Sequence, residues 1–401
     1  MSSALIPAAR EGRFLLLLGA LVAFGPLAID LYLPALPAIA VGLAATPELV
    51  QASITVFLAG FALGMLFYGP VSDRYGRRPV MLAGIALFTL ASLACLLAVS
   101  GEQLVLARFA QALGGGAASV LARAVVRDVY APTEAIRKLS LMAMVTAVAP
   151  LLAPLLGSGL LAAFGWRSTF AAILLWGIAS LLVVWRGLPE TLAPEQRGQL
   201  PLAAAFAAYF RLATDPLALG LLLAGGMSFA AMFAYITGSP FYFIEGLGWT
   251  PQAYGGLFAA NALGIFAANF ANSRLVRQCG AAALAGVGSG LSLLAALGLW
   301  LAVGNPAAGM MVVAMLFVVV ATTGLLGANC VGLLLARYPQ NAGAAAALFG
   351  SAQFGLGMWA SAAVAHAHDP DGRRMAMVIL GCALASFAGY LLYRHAARRA
   401  G

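Results

Sequence analysis

The chain has 401 residues, 63% of them hydrophobic and 9% charged, and a mean hydropathy of +0.97. Soluble domains are about a quarter charged, so the composition excludes a soluble globular protein and describes an all-α protein that crosses a membrane many times. The net charge of +9 follows from a loop bias described below and does not point to nucleic acid. Cys95, Cys279, Cys330 and Cys382 are far apart, with no C-x-x-C pair, and read as small core residues.

Apolar stretches of spanning length recur at about 14–34, 49–70, 79–99, 103–126, 138–163 and 167–186. They resume at about 215–240, 251–272, 280–302, 306–330, 342–365 and 374–394. Arg10 and Arg13 ahead of the first stretch imitate a signal peptide. Its length and the lack of a small-residue cleavage site instead predict a retained first helix. The interval between the sixth and seventh stretches holds Pro189, Glu190, Pro194, Glu195 and Arg197 and reads as a linker, with a short surface helix around 200–211. The pattern predicts twelve transmembrane helices in two six-helix bundles, 1–186 and 213–401, joined by a cytoplasmic linker, 187–212.

Of the 22 lysines and arginines, all but Arg108, Arg167, Arg373 and Arg374 fall on one side if the N-terminus is inside. That bias predicts an N-in/C-in topology. The halves also echo each other: the basic loop at 70–79 recurs as Ser273-Arg274-Leu275-Val276-Arg277-Gln278-Cys279-Gly280, about half the chain later. Internal repeats of this kind are how secondary transporters build two bundles around a midplane site.

Two charges stand inside the stretches. Asp30, in Leu27-Ala28-Ile29-Asp30-Leu31-Tyr32-Leu33-Pro34, is the only acid in the first. An acid at membrane depth costs about 2.5–3.5 kcal/mol on insertion scales unless it is protonated, paired or facing a cavity, and it marks a functional site. Arg108 opens Arg108-Phe109-Ala110-Gln111-Ala112-Leu113-Gly114-Gly115-Gly116, and Arg108, Gln111, Gly115 and Ser119 share one helical face. Arginine does not shed its proton, so Arg108 needs an acceptor or water unless it snorkels to the surface. At 1.5 Å per residue it lies roughly 8 Å inside its helix end. Asp30 reaches a similar depth, which predicts that the two meet directly or through water. Tyr32, Ser53, Thr55, Tyr235, Asn261, Asn269, Asn329, Gln353 and Trp359 are candidates either to line a cavity or to bond neighbouring helices. His366 and His368 lack a third ligand and make no metal site.

The loop between the second and third stretches reads Gly69-Pro70-Val71-Ser72-Asp73-Arg74-Tyr75-Gly76-Arg77-Arg78-Pro79. Gly69 suits a close helix approach, Gly76 a turn, and Asp73 pairing with a base or a helix N-terminus. This resembles the G-x-x-x-D-R-x-G-R-R/K loop of the major facilitator superfamily. The resemblance implies that Gly69, Asp73, Arg74, Gly76, Arg77 and Arg78 form a gate that latches the two halves. Asp30-Leu31-Tyr32-Leu33-Pro34-Ala35-Leu36-Pro37 is similar to the D-x-x-x-P-x-x-P ending of twelve-helix drug/proton antiporters, particularly their bicyclomycin/chloramphenicol-resistance (Bcr/CflA) branch. Phe67-Tyr68-Gly69-Pro70, Val126-Arg127-Asp128 and Ser239-Pro240-Phe241-Tyr242-Phe243-Ile244-Glu245 fit that branch as well. The Arg108 segment resembles R-x-x-Q-G/A-x-G. Ala149-Pro150-Leu151-Leu152-Ala153-Pro154-Leu155-Leu156-Gly157-Ser158-Gly159 resembles the antiporter motif G-x-x-x-G-P-x-x-G-G, carried here by Pro150, Pro154, Gly157 and Gly159. Ala149, Ala153 and Ser158 depart from its glycines, and Met65 stands where relatives often carry Gln.

The resemblance implies a proton-coupled exporter of amphipathic drugs, such as chloramphenicol-, bicyclomycin- or sulfonamide-like compounds. It would work as a monomer in a bacterial inner membrane, driven by the proton gradient without a cofactor. Asp30 and Arg108 would couple the proton. Candidate substrate residues are Asp30, Tyr32, Arg108, Gln111, Ser119, Tyr235, Asn261 and Gln353. An exporter of a sugar, amino acid or peptide keeps the same fold and is the alternative. The single lysine, Lys138, stands in no G-x-x-x-x-G-K-[ST] loop, which speaks against an ATP-driven pump. No G-x-S-x-G or H-E-x-x-H occurs, which speaks against an intramembrane enzyme.

Overall fold

A computed structural model describes residues 8–198, 202–305, 308–367 and 369–400; His368 lies outside them. Its described residues form helices and no strand. The first apolar stretch is broken rather than continuous. α1 (Ala8–Val22) and α2 (Phe24–Asp30) lead into a 3₁₀ turn, Leu33–Ala35, and then α3 (Leu36–Gly42). Pro26, Pro34 and Pro37 fall in this segment, and each removes a backbone donor that an unbroken helix would use. The run long and apolar enough to span is therefore Phe24–Gly42, later in the chain than 14–34.

The next five helices are α4 (Pro47–Tyr75), α5 (Arg77–Leu97), α6 (Gly101–Val129), α7 (Pro132–Phe164) and α8 (Arg167–Gly187). Thr46 and Ser100 cap α4 and α6 by accepting the amides of Leu49 and Gln103. In the interval α9 (Leu202–Thr214) takes the place of the expected surface helix. It buries Tyr209 and Leu212 and exposes Phe210, and the Tyr209 hydroxyl donates to the Leu66 carbonyl of α4 at 3.3 Å. α10 (Pro216–Pro240) begins at an Asp215 cap and runs into one π-helical turn, Phe241–Gly246. α11 (Pro251–Cys279), α12 (Ala281–Ala302), α13 (Gly309–Arg337), α14 (Ala342–Ala365) and α15 (Arg373–Ala400) complete the chain. Several helices overrun the apolar stretches, because arginine and other polar residues at a helix end face water without interrupting the helix. Among the described residues, ten runs are long and apolar enough to cross a membrane; the apolar part of α7 found there, Val148–Phe164, is shorter, and α14 falls outside that set.

α6 packs against both α4 and α5, and α10 against both α14 and α15. Helices before and after α9 meet along two seams, α4 with α14 and α7 with α11. Hydrogen bonds close the first seam. Thr55 and Ser361 hydroxyls meet at 2.8 Å and Ser351 Oγ donates to the Ala62 carbonyl at 3.1 Å, while beside the seam Gln51 Nε2 of α4 donates to the Thr237 carbonyl of α10 at 3.2 Å. The basic end of the second half is looser: between Phe266 and Gly280, α11 withdraws only Ala268, Asn272 and Val276 from full exposure. These recur every four residues, and Asn272 accepts from Asn329 of α13 at 2.7 Å.

Candidate substrate and proton site

A cavity of about 180 Å³ lies between the two sets of helices. Pro26, Ile29, Asp30 and Pro150 contribute from the first half. α10 contributes Phe229, Met232, Phe233, Tyr235 and Ile236, α11 Phe258, Asn261, Ala262 and Ile265, and α13 and α14 add Val320 and Phe354. Pro26, Ile29 and Asp30 are spaced i, i+3, i+4 and share one helical face. Asp30 is 5% exposed and, among the described residues, is the only lining residue with a carboxyl, amine, guanidinium or imidazole. Among the described residues it has no hydrogen bond and no ion pair. Tyr235 and Asn261 are the remaining polar residues of the described wall, and Asn261 Nδ2 donates to the Tyr235 hydroxyl at 2.9 Å.

Arg108 is fully buried, which rules out snorkelling, and it does not ion-pair with Asp30. Its Nη1 donates to the Ala28 carbonyl at 2.9 Å and to Gln111 Oε1. Its guanidinium carbon lies 4.2 Å from the centroids of both the Tyr32 and Phe57 rings. Gln111 passes the network on, donating to Ser92 Oγ at 2.8 Å. The reason for the separation is rotational. Ala28 and Tyr32, spaced i, i+4, face Arg108, whereas Pro26, Ile29 and Asp30 face the cavity. One short segment thus serves two sites. Tyr32, whose hydroxyl meets Ser53 Oγ at 3.1 Å, lines the arginine box and not the cavity. Gln111 and Ser119 are buried on α6 and, like half-buried Gln353, do not line the cavity.

Pro150 lines the cavity, while Gly157 packs against the segment that carries Asp30: a Cβ there would collide with the Leu31 carbonyl oxygen. Gly69 and Gly159 have open space around them, so neither serves the close approach expected of it. Met65 is buried, against Gly350 of α14.

The loop at 69–79 sits apart from the cavity. Gly76 adopts φ +98°, and its turn presents the first amides of α5 to one carboxylate: Arg77 N and Arg78 N donate to Glu190 at 2.9 and 3.2 Å. The Arg77 side chain bridges Asp73 at 2.5 Å and Asp128 at 2.9 Å and donates to Ser72 Oγ at 2.6 Å. Arg78 donates to the Trp185 carbonyl, and Gly198 N to the Asp73 carbonyl. Every side-chain hydrogen bond and ion pair of the described loop residues falls within 69–198. In this structure the loop fastens α4, α5, α6 and the segment after α8 to one another.

Of the other polar candidates, Ser53, Thr55 and Asn329 are hydrogen-bonded to neighbouring helices, and Trp359 is 71% exposed. The residues that sequence reasoning missed are the apolar walls. Phe229, Met232, Phe233 and Ile236 are spaced i, i+3, i+4, i+7, as are Phe258, Asn261, Ala262 and Ile265. That spacing was readable, but it marks a face without saying whether it meets a cavity, another helix or lipid.

Comparison with known proteins agrees with this architecture. The family model described as Major Facilitator Superfamily matches residues 16–362. A bicyclomycin resistance protein homolog of Haemophilus influenzae is 30% identical over 94% of this chain and 95% of its own length. An uncharacterized MFS-type transporter of Bacillus subtilis, YdgK, is 40% identical over 63% of this chain and 64% of its own. The multidrug resistance protein MdtL of Escherichia coli is 42% identical over 45% and 46%. Against these last two, the chain spans less than two thirds of the relative's length. Among solved structures, a D-xylose–proton symporter superposes with a TM-score of 0.73 at 17% identity, covering 94% of this chain and 97% of that one. An inward-facing, occupied bacterial homolog of the human lysosomal transporter Spinster gives 0.70 at 16%, covering 98% of each. The chain is a multi-pass membrane transporter and belongs to the major facilitator superfamily.

Proposed function

We propose that this chain is a proton-coupled antiporter of the bicyclomycin/chloramphenicol-resistance branch, exporting amphipathic drugs across a bacterial inner membrane by alternating access. The carrying observation is Asp30, a carboxyl that is unpartnered among the described residues, in a largely apolar cavity between the two halves of the chain whose other described lining residues are uncharged. In this reading all twelve apolar stretches cross the membrane as two six-helix bundles, 1–186 and 213–401, with both termini and the linker 187–212 inside, as the arginine bias favours. A single chain suffices, because the cavity is bounded by one chain. The proton gradient drives the cycle without a cofactor.

The chemistry follows from the wall. A carboxyl in an apolar cavity is cheapest when neutral, so Asp30 holds a proton while the cavity is otherwise empty. An entering drug competes for the space and the polar contacts, and the proton leaves; release on the other side reverses the order. Arg108 adds a fixed positive charge behind the same segment, anchored through Ala28. Rotation of that segment during the cycle changes its distance from Asp30. The loop fastened by Arg77, Asp128 and Glu190 moves with the first half as a rigid unit. The lining suits drugs better than sugars or amino acids: a sugar needs many hydrogen-bonding partners and an amino acid or peptide a cation for its carboxylate, and the wall offers neither.

The test is Asp30→Asn in proteoliposomes. Wild-type protein alkalinises the lumen when drug is supplied; the variant loses this drug-driven proton movement by about a hundredfold while inserting normally. Undiminished alkalinisation by Asp30→Asn removes the coupling role.

A further inference from the structure

Asn261 is 1% exposed and lines the cavity. Its Nδ2 is committed to the Tyr235 hydroxyl, but its Oδ1 is buried with no hydrogen-bond partner. An unpaired buried acceptor costs about 1–3 kcal/mol, and such a group calls for an explanation. Tyr235 is itself held by stacking on Phe258, with ring centroids 5.8 Å apart and planes at 23°. Its oxygen accepts from Asn261, and the Ser239 hydroxyl lies against it as well. The pair therefore offers one unpaired acceptor, Asn261 Oδ1, from a rigid mount. Phe354 packs against Phe229 and Phe233 at 5.2 and 6.2 Å elsewhere on the wall, an aromatic surface fit for a ring. Among the described residues, no arginine, lysine or histidine lines the cavity, so an anionic group finds no cation there.

We infer that Asn261, held by Tyr235, forms a hydrogen-bonding subsite, separate from Asp30, that takes a hydroxyl of an aromatic substrate and so sets the preferred cargo. This rests on the transport reading above and narrows it. The substrate class becomes uncharged or cationic ring compounds that carry a hydrogen-bond donor, with Asp30 left to the proton. A site built around a buried polar partner discriminates strongly against an analogue that cannot satisfy it, whereas apolar walls alone discriminate weakly.

The experiment compares two probes on the purified full chain: chloramphenicol, whose hydroxyls stand beside a nitrophenyl ring, and its di-O-methyl ether, which keeps the ring and lacks those donors. Wild-type protein prefers chloramphenicol by about tenfold in Kd, the equivalent of about 1.4 kcal/mol. Asn261→Leu, which keeps side-chain bulk without the acceptor, brings the ratio of the two affinities to about one. Tyr235→Phe keeps the stack on Phe258 and narrows the ratio less. It serves as the second readout if Asn261→Leu folds poorly. A ratio that survives in both variants overturns the subsite, as does a wild-type protein that does not distinguish the probes. If the wild type still exchanges either probe for protons in those cases, the transport reading stands without the subsite. If it exchanges neither, both readings fall.

Discussion

Asp30 and Arg108 are two buried charges served by opposite faces of one short segment, and the membrane interior is made tolerable for them in opposite ways. Arg108 is enclosed: a backbone carbonyl and a glutamine oxygen accept from its Nη1, and two aromatic rings cover it at equal distance, while its Nε and Nη2 are buried without a hydrogen-bond partner. Cation–π contacts of this kind contribute about 0.5–2 kcal/mol each, so the site holds a permanent cation without an anion. Asp30 is left bare on the wall of a cavity. The difference matches the chemistry of the two side chains. A guanidinium keeps its charge, so it is given acceptors on one edge and ring faces around it. A carboxyl can become neutral, so its surroundings can be left open for a proton and a ligand.

The largest test of this contrast is Arg108→Ala. It orphans two buried acceptors, the Ala28 carbonyl and Gln111 Oε1, at about 1–3 kcal/mol each, and removes the body that Tyr32 and Phe57 enclose. Thermal unfolding in detergent should drop by several degrees, and export should fall close to background. Arg108→Lys keeps a charge and a donor but no planar group to lie between two rings, so it should fall between alanine and wild type. Equal, near-normal activity of the two variants would show that the box is only packing. Asp30→Asn should do the reverse: it removes an ionisable group that no described residue pairs, so the unfolding temperature holds or rises while coupling is lost.

The sequence disclosed the two charges because charge inside an apolar run is rare, and it disclosed the turn at Gly76 because few residues accept that backbone geometry. It did not disclose what surrounds either charge. The acceptor for Arg108 is partly main chain, at an alanine that carries no signal, and ring faces look like any other apolar packing. Tyr32 was placed with the cavity because proximity to Asp30 in sequence says nothing about rotation. Three prolines break the segment, and only the folded chain shows that 28 and 32 face one way and 26, 29 and 30 the other. The cavity walls were invisible for a simpler reason: in a chain this apolar, a phenylalanine beside a substrate and one beside lipid have the same spelling.

The antiporter motif of α7 separates into a part that shapes this region and a part that does not, and two valine substitutions read the difference. Gly157→Val forces a side chain into the Leu31 carbonyl, and overpacking of this kind costs about 1–3 kcal/mol. Because Leu31 lies between Asp30 and Tyr32, the strain reaches both sites, so export and unfolding temperature should fall together. Gly159→Val, with nothing near its Cβ, should change the unfolding temperature by less than about a degree. Equal losses at both positions would mean that glycine serves this helix by something other than contact with the Asp30 segment.

The smallest expected effect isolates how Tyr32 serves Arg108. Its ring lies against the guanidinium, while its hydroxyl meets Ser53 of α4. Tyr32→Phe keeps the ring and removes only the hydroxyl contact, and interhelical hydrogen bonds in membrane proteins average about 0.6 kcal/mol. Unfolding should shift by a degree or so, with export and its dependence on the proton gradient retained. Tyr32→Leu removes the ring face as well and should move toward the Arg108→Ala phenotype. If Tyr32→Phe instead abolishes export at unchanged stability, the hydroxyl takes part in the transport cycle directly. The boundary drawn here between the arginine box and the cavity would then close during that cycle.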